Sequence, residues 1–175
     1  MFTILFYVFV YTIWLKRKTP QNIVIGGASG ALPPVIGWAI ATNSISLESI
    51  AFFLIIFFWT PSHFWALSLY KADDYKKAGI PMLPVTNGIQ DTKKNILIYS
   101  LLMIPTIVFP YYIGFVGEVF LTLSLLLTFY YNLICYQLYN YKVGKFNIKK
   151  ARHIFSYSII YLFLIFVFFL VDKVL

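Results

Sequence analysis

Residues 46–69 read SLESIAFFLIIFFWTPSHFWALSL and run directly into YKADDYKK at 70–77. The first stretch holds one acid, Glu48, at its start and one histidine, His63, towards its end; the second is mostly charged. An apolar run needs about 20 residues to cross a bilayer core as a helix. This one is long enough, and the charges after it mark the return to water.

The same pattern extends in both directions. Apolar runs lie at 1–15, 23–42, 46–69, 96–117, 119–141 and 154–171, separated by short polar breaks. The whole chain has 175 residues, of which 61% are hydrophobic and 11% charged, with a mean hydropathy of +0.81. An average soluble domain is about a quarter charged, because its surface needs a polar skin. The composition therefore excludes a soluble enzyme, a disordered tail and a coiled coil, and predicts an all-α polytopic membrane protein with six transmembrane helices. The first run is shorter than a full crossing and reads as a clipped helix. It lacks the basic start and small-residue cleavage site of a secretory signal.

The basic residues follow the spans. Lys16, Arg17 and Lys18 come after the first run, five lysines lie between 70 and 95, and five basic residues lie between 142 and 152. The intervening breaks near Asn43 and Gly117 carry none. This alternation is what the positive-inside rule requires. It predicts that the basic loops are cytoplasmic and that both termini of the chain lie outside, in a multi-pass protein of a bacterial inner membrane. The net charge of +8 then belongs to membrane orientation, and no nucleic-acid partner is expected. One cysteine, Cys135, and two histidines leave no ligand set for a zinc or disulfide framework. The body reads as a single domain over 1–175, with the 70–95 loop set apart by its length and its acids.

Four groups of residues could carry chemistry. Asp73 and Asp74 are adjacent carboxylates at the mouth of the third span, flanked by Lys71, Lys76 and Lys77. Magnesium takes one or two carboxylates and completes its shell with water and phosphate oxygens, while lysines hold phosphate as point charges. The plain alternative is a solvated loop of mixed charge. His63 is an ionisable group at membrane depth, which makes it a functional candidate, or a histidine bonded to a neighbouring helix. Pro61 loosens the helix beside it. If that helix persists, His63 and Asp74 share a face at about 16 Å along the axis. Lys16 and Arg17 end the first span on the same side, as a diphosphate pair or as membrane anchors. Gly26 and Gly30 form a GxxxG pair suited to close helix packing.

Two stretches, LKRKTPQNIVIGGASGALPPVIGWA at 15–39 and WTPSHFWALSLYKADDYKKAGIPMLPV at 59–85, resemble the heme O synthases (protoheme IX farnesyltransferases) of the UbiA superfamily. The resemblance is dense from about Tyr11 to Tyr99; beyond that it rests on hydropathy and topology. It implies a nine-helix bundle of which this chain is the C-terminal part. The implied reaction transfers farnesyl from farnesyl diphosphate to a vinyl group of heme b, giving heme O, with Mg2+ on the diphosphate.

On that likeness Asp73 and Asp74 form the second of two Asp-rich motifs, with Lys71 among the catalytic residues. Lys16, Arg17, His63 and Tyr75 become substrate contacts, and heme b is substrate rather than cofactor. The family's first motif, NxxxDxxxD, does not occur in the chain. The expectation is therefore that these 175 residues alone are incompetent, and a separately encoded N-terminal half is a partner this reading allows. Three alternatives stay open: a non-catalytic membrane fragment, half of a split enzyme, and a related prenyltransferase acting on a quinone precursor.

Overall fold

In hydrocarbon each backbone N–H and C=O must be satisfied within its own segment, which leaves helix as the conformation for an apolar run. The computed structural model describes residues 5–141 and 148–174. Its elements are α1 (Phe6–Leu15, wound with π-type bonding), α2 (Asn22–Thr42), α3 (Leu47–Tyr70), α4 (Ala72–Lys77), α5 (Leu83–Thr86), α6 (Gly88–Tyr112), α7 (Glu118–Tyr139) and α8 (Ile148–Val174). There is no strand among the described residues. Five helices, α2, α3, α6, α7 and α8, are long and apolar enough to cross a membrane. Residues 1–4 of the first apolar run, and Lys142 and Lys145 of the last basic loop, lie outside the described residues.

Helix α3 occupies the centre. It packs on α2, α6 and α8, while α7 joins α6 to α8, so α3, α6, α7 and α8 close a ring. Helix α2 packs on both α3 and α1. The core follows from this placement: Ile55, Trp65 and Ala66 of α3, Met103 and Ile107 of α6, Tyr131 of α7 and Tyr161 of α8 are fully buried. Pairs of hydroxyls cross the seams, Ser62 with Tyr131 and Thr128 with Tyr161, both at 2.9 Å. Interhelical bonds of this type average roughly 0.6 kcal/mol each in membranes.

Three expectations are corrected. The 70–95 loop is largely structured: it contains α4, α5 and the first turns of α6, which begins at Gly88 rather than near Ile96. Hydropathy marks the apolar part of a helix and is blind to turns that project into water. Helix α4 places Asp73 and Asp74 in its first turn and Lys76 and Lys77 in its last, the arrangement that complements a helix dipole. Second, α3 stops at Tyr70 and Lys71 turns away with ψ 16°. His63 and Asp74 therefore lie on different helices, and their eleven-residue spacing does not run along one axis.

Third, the close approach of α2 to α3 runs through Gly27, where a Cβ would lie 3.1 Å from Thr60 Cγ2. Gly26 instead faces the Tyr11 ring of α1, and nothing lies within 4 Å of a Cβ at Gly30. Gly26 and Gly27, adjacent in sequence, meet different neighbours, and of the three glycines Gly27 is the one in close contact with α3. Helix α3 itself passes through Pro61 as one helix. Thr60 Oγ1 and Ser62 Oγ donate back to the carbonyls of Ile56 and Trp59 at 2.7 and 3.1 Å.

Candidate active site

The turn after α1 is held by Asn22, whose Nδ2 donates to the Lys16 carbonyl at 3.2 Å. That bond folds the basic end of α1 over the start of α2. Below the turn lies a cavity of about 160 Å³ with Lys16, Asn22 and Tyr75 in its wall. A second cavity, about 240 Å³, continues between α2 and α3, walled by Gly26, Gly27 and Gly30 on one side and by Trp59, Thr60 and Phe64 on the other. Tyr11, Ile23 and Phe64 line both. The two form one groove with a polar mouth, one cation and an apolar, aromatic-walled shaft. The shaft exists because α2 has no side chains at its three glycines.

Lys16 and Tyr75 are thus brought together from opposite ends of the predicted set. Arg17, Lys71, Asp73 and Asp74 are exposed and line neither cavity, although α4 carries the two acids one and two residues before Tyr75. Lys71 Nζ pairs with Asp74 Oδ2 at 2.9 Å. The Lys71 ammonium holds the Asp74 carboxyl below its ordinary range, chiefly through that hydrogen bond. Burial raises the Tyr75 phenol, so its O–H stays intact and can donate at neutral pH.

His63 sits behind the shaft wall rather than in it. It is buried, its Nδ1 lies 2.6 Å from Ser158 Oγ of α8, and its ring is stacked between Trp59 and Phe155 at 4.3 and 4.5 Å. Ser158 Oγ also donates to the Phe155 carbonyl at 2.6 Å, so its remaining capacity is to accept, and the His63 Nδ1 carries the proton in this arrangement. Trp59 Nε1 donates to the Ser158 carbonyl at 2.8 Å. The bonded-histidine reading matches this geometry, and His63 braces the indole that faces the groove.

The sequence reading missed Asn22 and Arg152. Asn22 is 1% exposed and its Oδ1 has no partner, an orphaned acceptor in the wall of the mouth. Its only signal in the sequence is an Asn at a helix start, which reads as a cap. The Arg152 guanidinium lies 5.3 Å over the Tyr70 ring, next to the end of α3, a tertiary neighbour with no sequence signature. As for metal, the described residues hold no cluster of three or more His, Cys, Asp or Glu side chains. The exposed Asp73–Asp74 pair is a hard oxygen donor set, which fits an ion that draws its other ligands from water and phosphate.

The comparisons agree with one another. The sequence profile of the UbiA prenyltransferase family matches residues 1–160. A protein of Pelagibacter ubique (strain HTCC1062) named protoheme IX farnesyltransferase is 76% identical over 175 residues, covering 100% of this chain and 58% of that protein. Proteins of the same name from Parvibaculum lavamentivorans and Azorhizobium caulinodans are 50% and 53% identical over 99% and 94% of this chain, and over 55% and 54% of their own lengths. The chain thus spans a little over half the length of the curated relatives it matches. No solved structure matches it. The match over nearly the whole chain, together with the helical bundle and its groove, places this chain in the UbiA prenyltransferase family.

Proposed function

We propose that this chain forms the second half of a membrane site that moves a farnesyl group from farnesyl diphosphate to a vinyl carbon of heme b; diphosphate leaves, and water adds a hydroxyl to the other vinyl carbon with loss of a proton, yielding heme O. The observation that carries the reading is the groove. It has a lysine, a half-buried phenol and an orphaned amide oxygen at its mouth, and an aromatic shaft beyond, which suits an anionic head on a long apolar tail. The names borne by the relatives supply the acceptor, heme b.

In this reading the diphosphate rests at the mouth against Lys16 and the Tyr75 hydroxyl, with Lys71 and Arg17 available from the exposed rim. Asp73 and Asp74 would hold Mg2+, which offsets negative charge on the leaving diphosphate. The isoprenoid lies along the glycine face of α2. Trp59, Tyr11 and Phe64 exclude water from the allylic carbon and present π-faces to positive charge developing there. His63 acts behind Trp59. The loops bearing Lys16 and Asp73 are cytoplasmic in this proposal, in a bacterial inner membrane, as the distribution of basic residues supports.

The test is heme extraction and mass analysis from a strain lacking heme O synthase. The strain expresses this chain beside a segment carrying an NxxxDxxxD motif. Heme O is expected from the pair, and Gly30→Leu, which fills the shaft where the structure has open space, is expected to abolish it without loss of membrane insertion. Prenylated quinone precursors instead of heme O would overturn the choice of acceptor. No prenylated product from the inserted pair would overturn the enzyme reading.

A further inference from the structure

Between 119 and 171 the sequence contains no Asp or Glu, yet it holds five basic residues at 142–152. The basic end of the α7–α8 hairpin therefore has no acid near it in sequence, because the hairpin's own acids, Glu118 and Asp172, stand at the opposite ends of α7 and α8. At its basic end a cleft of about 130 Å³ opens between the two helices, lined by Tyr130 and Gln137 of α7 and Lys150 and His153 of α8, over a floor of Ile134 and Ile154. Lys150 Nζ lies 4.8 Å over the Tyr141 ring, a contact that uses its charge but not its N–H donors. Tyr130 OH and His153 Nε2 are 3.3 Å apart, so the phenol and imidazole face each other across the cleft.

We propose that this cleft binds the phosphate of an anionic phospholipid. One ammonium, an amide N–H and the Tyr130–His153 pair match a single phosphodiester, and basic clefts between membrane helices are suited to lipid headgroups. A lipid is favoured over a soluble phosphate by what lies along the same seam. One and two turns deeper, Leu126 and Leu123 of α7 and Ile160 of α8 are 63%, 37% and 56% exposed. They offer an apolar track for acyl chains directly beneath the headgroup. The cleft shares no lining residue with the groove of α1–α3, and the proposal does not rest on the prenyltransferase reading.

The test uses the full 175-residue chain in nanodiscs of phosphatidylcholine and phosphatidylglycerol in equal parts, with retained lipid read by native mass spectrometry. One phosphatidylglycerol is expected to stay bound. The double variant Lys150→Gln, His153→Gln should lower that retention roughly fivefold, the order of one basic side chain at a lipid surface. Gln137→Leu, which removes a donor without changing charge, should give a smaller loss. Lys94→Gln, an equal charge change on exposed α6 surface, should give none. Equal losses from Lys94→Gln and the double variant would mean diffuse attraction and overturn the site, as would full retention in the double variant. Displacement of the lipid by millimolar inorganic phosphate or diphosphate would assign the cleft to a soluble anion instead. Circular dichroism of each variant separates loss of the site from loss of the fold.

Discussion

Lys71 and Asp74 illustrate how a short helix arranges charge. Three residues apart at the start of α4, they meet at 2.9 Å, and the ammonium keeps the Asp74 carboxyl ionised below its usual range. The pair is therefore intact at neutral pH and is lost only as pH falls through that lowered pKa. Lys71→Gln should move the Asp74 titration upward, readable by carboxyl carbon NMR in micelles; an unchanged midpoint would mean the pairing does not persist in solution. Metal binding at the same turn carries its own expectation. In the reconstituted pair described above, Asp73→Asn with Asp74→Asn should reduce heme O formation about a hundredfold, the order lost when charge stabilisation of a leaving group is removed. Deeper in, His63→Ala strips the support from Trp59 and leaves Ser158 Oγ without its imidazole. A stability loss of about 1–3 kcal/mol is expected for an orphaned buried polar contact, measured by unfolding in mixed detergent.

Helix contacts are set by a few positions. Asp172, near the end of α8, accepts from the backbone N–H groups of Gly117 and Phe120 at 2.7 and 3.1 Å and so caps the start of α7 from a different helix. Its neighbour Lys173 donates to the Phe115 carbonyl at 2.5 Å. Residue 117 must stay small, because a Cβ there would lie 3.1 Å from the Asp172 carboxylate. Asp172→Ala should destabilise by about 1 kcal/mol, as loss of an N-cap does, and Asp172→Asn should recover part of it through the amide oxygen. On α2, Gly27→Val is expected to push the helix off Thr60 at a cost of about 1–3 kcal/mol. Gly30→Ala, facing open space, should be neutral or slightly stabilising. Equal effects at the two glycines in an unfolding assay would contradict the assigned rotation of α2.

At the scale of the whole molecule, α3 is the hub and the groove is its contact with α1 and α2. The chain covers 58% of its Pelagibacter relative; it carries the Asp73–Asp74 pair and no NxxxDxxxD sequence, so under the proposed chemistry it supplies one of two carboxylate motifs. A diphosphate facing a single carboxylate motif is incompletely neutralised. The 175-residue polypeptide expressed alone should therefore insert in the membrane and yield no heme O, as measured by mass analysis of extracted heme. Product from this chain alone would show that Asp73, Asp74 and the lysines suffice.

The apolar runs were legible from composition because transfer of side chains to hydrocarbon depends on residue type and run length, which are local. The five long helices from Asn22 onward overlap those runs, while α4 and α5 lie between them. The family was legible for a related reason: the dense stretches around Lys16 and Asp73 carry short-range motifs that survive without coordinates. Helix ends in water were not legible, since the first turns of α6 and α8 are polar and cost nothing to form outside the bilayer. Neither was the orientation of neighbouring residues. Gly26, Gly27 and Gly30 read alike as letters, but α1, α3 and an open cavity stand opposite them. The cavity wall shared by Lys16 and Tyr75 joins elements nearly sixty residues apart, and His63 lies behind Trp59 with its imidazole held by Ser158 of α8. Such contacts depend on how helices rotate and pack around α3, a property of their mutual fit that no single segment contains.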